Sequence, residues 1–159
     1  MLKIISKLTF LHTIYSTVIV LIPSFLVHNS SKYMAIKKII TNLNIDRIEG
    51  DCIEFGIFTG SSFKHAIRTE NKINKHNKTK FFGLDSFEGF PENDHPFFQD
   101  INFVTDYSKV KKIENKFKNK VFIIKGYFKE SLETNQELKE LNKIKFAHID
   151  CDLYISAVE

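Results

Sequence analysis

Four short apolar runs, CIEFGIF (52–58), KFFGLD (80–85), VFIIKG (121–126) and IKFAHID (144–150), alternate with segments whose apolar residues recur at helical spacing. The runs are apolar throughout, so they read as strands buried on both faces, near 52–55, 81–84, 121–124 and 145–149. Helical spacing is clearest in YMAIKKIITNLN (33–44), through Met34, Ile36, Ile39, Ile40 and Leu43. SSFKHAIRTENKIN (61–74), DYSKVKKIENKF (106–117) and FKESLETNQELKELN (128–142) read as further helices. Strict alternation of helix and strand predicts an α/β domain with a parallel sheet and right-handed crossovers. No internal repeat or low-complexity linker interrupts it.

The first residues stand apart from this pattern. LTFLHTIYSTVIVLIPSFLV (8–27) carries no Asp, Glu, Lys or Arg and is about long enough to span a bilayer. Lys3 and Lys7 precede it, as in a signal anchor, but His12, several Ser and Thr, and Pro23 interrupt it. Lys32, Lys37 and Lys38 follow, so lysine bias does not direct the rest of the chain outward. A packed helix or partner-facing extension fits these features better than a spanning anchor, with membrane association through 8–27 as the alternative. The expected division is an N-terminal helical extension over 1–47 and an α/β domain over 48–159.

Composition narrows the function. The formal charge of +4 is almost wholly lysine, the arginines being Arg47 and Arg68. Arginine is the usual residue for bidentate recognition of phosphates and bases, so its scarcity argues against a nucleic-acid reader. The lysine- and asparagine-rich runs at 71–80 and 109–120 read as solvated faces or loops. Cys52 and Cys151 lie in apolar runs with no CxxC or Cys/His metal spacing, and read as buried reduced thiols.

In parallel α/β sheets, ligands sit beyond the C-terminal strand ends, so the polar residues there carry the functional reading. The first strand runs into EFGIFTGSS (54–62), where Gly56 and Gly60 permit tight turns and Ser61 and Ser62 open a helix. This is G-x-x-x-G, not the dinucleotide pattern G-x-G-x-x-G, which disfavours a nicotinamide oxidoreductase. Glu54 is a carboxylate in an apolar strand, either a satisfied structural acid or a holder of a cationic ligand. Asp85 ends the second strand, where an acid commonly accepts ribose hydroxyls; the plainer reading is a turn or cap. HIDCDLY (148–154) ends the fourth strand. In extended geometry Asp150 and Asp152 would share a face, suited to a divalent cation or general-base work. Alternatively they cap the next helix.

Four stretches together resemble one family. GDCIEFGIFTGSSF (50–63), FFGLDSFEGFP (81–91), VFIIKGYFKESL (121–132) and FAHIDCDLYISAVE (146–159) are similar, in order and spacing, to segments of TylF-like macrocin O-methyltransferases. These are class I S-adenosylmethionine-dependent enzymes, and the resemblance runs from about residue 48 to the end. It implies a Rossmann-like sheet ordered 3-2-1-4 in space, with an N-terminal helical extension. S-adenosylmethionine would lie over Glu54, Phe55, Gly56 and Gly60, with Thr59, Ser61 and Ser86 beside it, Asp85 on the ribose, and Gly126 and Tyr127 near the adenine. The resemblance also implies Mg²⁺ held by carboxylates, with Asp150 or Asp152 as ligand and base, and methyl transfer to a hydroxyl of a sugar or other small natural product.

The family pattern continues past L-Y-x-S into a helix, a glycine-bearing turn and a strand ending in paired aspartates. This chain ends at Glu159, so the expectation is an incomplete fold of four of the usual seven strands, with the fourth an exposed edge. The rival function is a non-catalytic Rossmann-like remnant that binds a nucleoside or works through protein contacts, including a homo-oligomer. A domain using S-adenosylmethionine is expected in, or facing, the cytoplasm, where the cofactor is made.

Overall fold

Strand β1 (Asp51–Phe55) is hydrogen-bonded on one side to β2 (Phe81–Asp85) and on the other to β4 (Ile144–Ile149). Strand β3 (Val121–Lys125) adds to β2, giving one all-parallel sheet in the order β3-β2-β1-β4. The structure, a computed structural model, describes residues 9–91, 97, 103–117 and 120–158. The strand bounds, the parallel pairing and the spatial order all match the sequence reading.

β1, β2 and β3 are apolar on both faces because each face has its own core, whereas β4, at the sheet edge, buries only Phe146 of its apolar side chains. Cys52, Phe81, Val121, Ile123 and Phe146 point to one side and pack with helices α2 (Ser24–Ile45), α3 (Ser61–Ile73) and α4 (Tyr107–Lys116). Ile53, Phe82, Leu84 and Ile124 point to the other, where Phe55, Phe122, Phe128, Leu138 and Leu141 join them. Phe128 opens helix α5 (Phe128–Thr134), which covers that second face. Burying a large apolar side chain is worth about 1.5–3 kcal/mol, so adding polar alternation would weaken either layer.

Two expected boundaries move. The helix expected over 128–142 is instead α5 followed by a 3₁₀ turn, Glu137–Glu140. The Asn135 side-chain carbonyl accepts the backbone N–H groups of Glu137 at 2.8 Å and Leu138 at 3.3 Å, offering the backbone a turn in place of a continuing helix. The division expected near residue 47 falls earlier: the chain forms two compact units, Met1–Ala35 and Ile36–Glu159. Ile36 and Ile40 of α2 are buried in the second unit's core, which claims that half of the helix.

The first unit contains α1 (Thr9–Val20), a turn, and the beginning of α2. The expected break at Pro23 is where the helices part: the Pro23 carbonyl accepts from Leu26 and Val27 as α2 begins. The Tyr15 hydroxyl donates to Met34 Sδ at 3.7 Å, so the two helices fold back on each other as a hairpin. Among the described residues, no helix is long and apolar enough to cross a membrane. Lys3 and Lys7 lie outside the described residues.

Candidate functional site at the strand ends

The chain leaves β1 through two glycines with positive φ, Gly56 at 81° and Gly60 at 71°. At Gly56 a Cβ would stand 2.2 Å from the Asp150 carbonyl oxygen, so only glycine allows the β1 and β4 ends to approach this closely. Hydrogen bonds tie this turn to both neighbouring strands: Gly56 N–H donates to the Leu84 carbonyl of β2 at 2.9 Å, and Asp150 N–H, beyond β4, to the Phe55 carbonyl at 3.0 Å. Gly60 is the N-cap of the 13-residue helix α3, and no side chain caps that end. The first N–H groups of a helix lack intrahelical partners, so this end is suited to a carboxylate or phosphate.

Asp85 stands at the centre of the arrangement. One carboxylate oxygen accepts the Phe58 N–H at 2.7 Å and the other the Phe87 N–H at 2.7 Å. Its backbone carbonyl accepts Gly126 N–H at 3.0 Å. The residue therefore ties the β1 glycine loop, its own turn and the end of β3 together. Burial raises its carboxyl above the ordinary value near 3.8, while the two backbone N–H groups pull it back down. Phe58 and Tyr127 are 42% and 39% exposed, so aromatic surface is open near both backbone segments bonded to Asp85. Phe58 also adopts φ 47°, an uncommon conformation for a bulky residue.

Other expected contacts turn inward. Glu54 is 3% exposed; its Oε1 accepts from Ser62 Oγ at 2.5 Å and lies 3.4 Å from His148 Nδ1. Of the two readings of Glu54, the structure favours the satisfied structural acid, which links β1, the first turn of α3 and β4. The Phe55 ring packs edge-on against Phe128 at 5.3 Å, leaving its backbone rather than its side chain at the loop. Ser86 is buried and donates to the Gly89 carbonyl at 2.6 Å, closing its own turn. Thr59 and Ser61 are exposed, with their hydroxyls 3.0 Å apart. Gly126, at φ 149°, packs so closely on α5 that a Cβ would meet Ser131 Oγ at 2.7 Å.

Asp150 and Asp152 lie beyond the end of β4, and Cys151 between them is buried. Asp152 adopts φ 55°, so strand alternation, on which a shared face was expected, does not extend to it. Among the described residues no three His, Cys, Asp or Glu side chains are grouped to hold a metal ion. A complete donor set for the Mg²⁺ that the resemblance implies is thus not assembled among the described residues. Burial pushes the Cys151 thiol up and the Cys52 thiol to about 12, keeping both protonated and unreactive at neutral pH. A cavity of about 370 Å³ lies at the opposite end of the sheet, beside Phe81 and Val121 at the starts of β2 and β3.

Asp85 and both glycines stand at the strand ends where the sequence puts them, whereas the contacts of Phe58 and His148 have no counterpart in the sequence reading. Neither carried a local signal; one acts through its backbone and the other through a partner on a neighbouring strand.

A parallel α/β sheet with a glycine-turned helix N-terminus and an acid at the next strand end defines a Rossmann-like domain. The Macrocin-O-methyltransferase (TylF) family profile matches residues 28–159, and the chain belongs to that family. Two solved structures are similar in fold. The "O-methyltransferase NovP" superposes with TM-score 0.64 at 18% identity, covering 78% of this chain and 55% of its own. "CalS11, Calicheamicin Methyltransferase" gives TM-score 0.67 at 17% identity, covering 89% and 60%. This chain thus spans a little over half the length of these structures. No curated protein matches it at a significant level.

Proposed function

We infer that the chain forms the S-adenosylmethionine-binding part of an O-methyltransferase acting on a hydroxyl of a sugar or other small natural product. The observation that carries this reading is the Asp85 carboxylate, held at the end of β2 by the Phe58 and Phe87 N–H groups. Each carboxylate oxygen has two acceptor directions, so one backbone bond per oxygen leaves capacity for the two hydroxyls of a ribose. The N–H groups at the start of α3 suit the amino-acid carboxylate of the same cofactor, and the exposed Phe58 and Tyr127 rings suit its adenine. Family membership, and the description of NovP as an O-methyltransferase, support a hydroxyl acceptor.

When bound, S-adenosylmethionine supplies an electrophilic methyl group on a sulfonium. The protein's task is to align a hydroxyl with that methyl and accept the hydroxyl proton, since a protonated oxygen is a poor nucleophile. Asp150, whose backbone packs on the Gly56 turn, and Asp152 follow β4 and are the carboxylates this reading assigns to that role.

Calorimetric titration with S-adenosylmethionine and S-adenosylhomocysteine tests cofactor binding. Transfer of labelled methyl to glycosylated small molecules tests the reaction. A folded chain that binds neither compound would overturn the reading. Binding without transfer to any hydroxyl would leave the non-catalytic alternative, for which the partly exposed edge strand β4, with Ile149 60% exposed, provides a contact surface.

A further inference from the structure

The N-terminal unit presents apolar surface without a core of its own. Between residues 10 and 35, no described side chain is buried. Phe10, Val20 and Leu21 are 72%, 80% and 79% exposed, and Leu11, Val18 and Leu26 are about half exposed. Soluble monomers rarely leave a contiguous apolar surface of this kind uncovered.

Charge indicates what covers it. Residues 1–45 contain Lys3, Lys7, Lys32, Lys37 and Lys38 and no Asp or Glu, Asp46 being the first acid. This stretch alone thus carries about +5, more than the chain's whole formal charge of +4. A second copy docking through the same face would bring lysines toward lysines with no acid to pair them. An anionic lipid surface offers hydrocarbon for the apolar side chains and negative headgroups for the lysines. Length decides between spanning and lying on the surface. The 12 residues of α1 extend about 18 Å, short of the roughly 30 Å of a bilayer's hydrocarbon core. The longer α2 carries its lysines, Lys32, Lys37 and Lys38, in its middle turns.

We propose that the hairpin of α1 and the start of α2 is a peripheral membrane-binding element that seats in the interface of an anionic bilayer. Apolar side chains of α1 and of the turn at Leu21 enter the acyl boundary, while the flanking lysines remain at headgroup level. This holds the protein at a membrane surface without crossing it, and it is independent of the methyl-transfer reading.

The test is flotation of the full chain with vesicles of phosphatidylcholine alone or mixed with phosphatidylglycerol, alongside its mass in solution by light scattering. The expected result is flotation with the anionic vesicles, loss of most binding in 0.5 M salt, and little association with the neutral ones. Phe10→Ser combined with Leu21→Ser removes apolar surface already exposed to water, so the fold is retained while vesicle affinity falls at least tenfold. Lys32→Gln, Lys37→Gln and Lys38→Gln together lower it further, each lysine near an anionic surface being worth about fivefold. A chain that stays in solution with anionic vesicles overturns the proposal. So does a stable dimer that ignores vesicles and dissociates in the Phe10→Ser/Leu21→Ser variant, which would make a second copy the occupant. Equal binding to neutral and anionic vesicles would also reject it, because the lysines would then play no part.

Discussion

The Asp85 carboxylate, at the end of β2, accepts the backbone N–H of Phe58, 2.7 Å away in the glycine loop that follows β1. This one bond couples the two features that define a cofactor site in such sheets, the tight loop and the acid of the next strand. The residue expected to recognise a ribose also holds the loop that faces the rest of the cofactor, so affinity and local stability are linked.

Asp85→Ala is therefore expected to do two things. Losing charge-assisted hydrogen bonds worth about 1.5–3 kcal/mol should weaken S-adenosylmethionine binding tenfold or more. Leaving the part-buried Phe87 N–H without an acceptor, and the more exposed Phe58 N–H to water, should also cost about 1 kcal/mol of stability. Calorimetry reads the first effect and urea unfolding the second. Unchanged stability would mean that the loop does not depend on this carboxylate.

The pH dependence has a definite sign. Burial raises the Asp85 carboxyl above the ordinary value near 3.8 in the folded protein. As pH falls between the raised value and the ordinary one, the folded state takes up this proton before the unfolded chain does. The contribution of this group to stability thus rises on acidification in that window and is lost again as pH climbs through the raised value. Cofactor affinity should move the other way, falling as the carboxylate is neutralised. Titrations across mildly acidic pH should show that decline in the parent and a flatter profile in Asp85→Asn.

Gly56→Ala should destabilise the protein by about 2–4 kcal/mol, combining left-handed backbone strain with displacement of the β4 end. Its Cβ would lie 2.2 Å from the Asp150 carbonyl oxygen. Gly89 is the control: its φ is also positive, but among the described residues a Cβ there meets only Val104 Cγ2, at 3.7 Å. Gly89→Ala should cost about 1 kcal/mol, from strain alone. Equal losses in denaturant melts would show that the contact at Asp150 is unimportant.

Lys145 and Glu70 form an ion pair at 2.9 Å with side chains 4% and 1% exposed. Lys145 Nζ also donates to Thr79 Oγ1 at 2.9 Å, and Asn44 donates to Glu70 at 2.8 Å. Lys145→Met alone should cost about 3–5 kcal/mol, because an uncompensated buried carboxylate remains. Adding Glu70→Leu should recover at least half of that loss. A double mutant as unstable as the sum of its parts would argue against direct coupling of the pair.

Asp150→Asn and Asp152→Asn bear on proton acceptance. If either acid serves as the base, its amide should lower methyl transfer at least a hundredfold while cofactor affinity stays within a few-fold. Single-turnover transfer and calorimetry separate the two effects. Parental turnover in both variants would reduce the pair to caps of the short helix Tyr154–Val158.

The sequence by itself determined the sheet. Phe81 and Phe82 face opposite cores, as do Ile123 and Ile124, and such two-sided burial is written as an unbroken apolar run that any reader of the chain can find. It likewise marked Gly56, Gly60 and Asp85, because turn geometry and strand-end chemistry depend on residues close in the chain. Only the tertiary structure decided the partners. Glu54 could have been a ligand-holding acid until Ser62 and His148 were seen beside it, and Lys145 could have been one more surface lysine until Glu70 closed over it. The shared face expected of Asp150 and Asp152 gave way because the chain leaves the strand at Ile149 and turns left-handed at Asp152. Periodicity records which environment a side chain prefers. Which charge or hydroxyl meets it across the sheet is set by strand register and helix packing, contacts between segments far apart in the chain that no local pattern encodes.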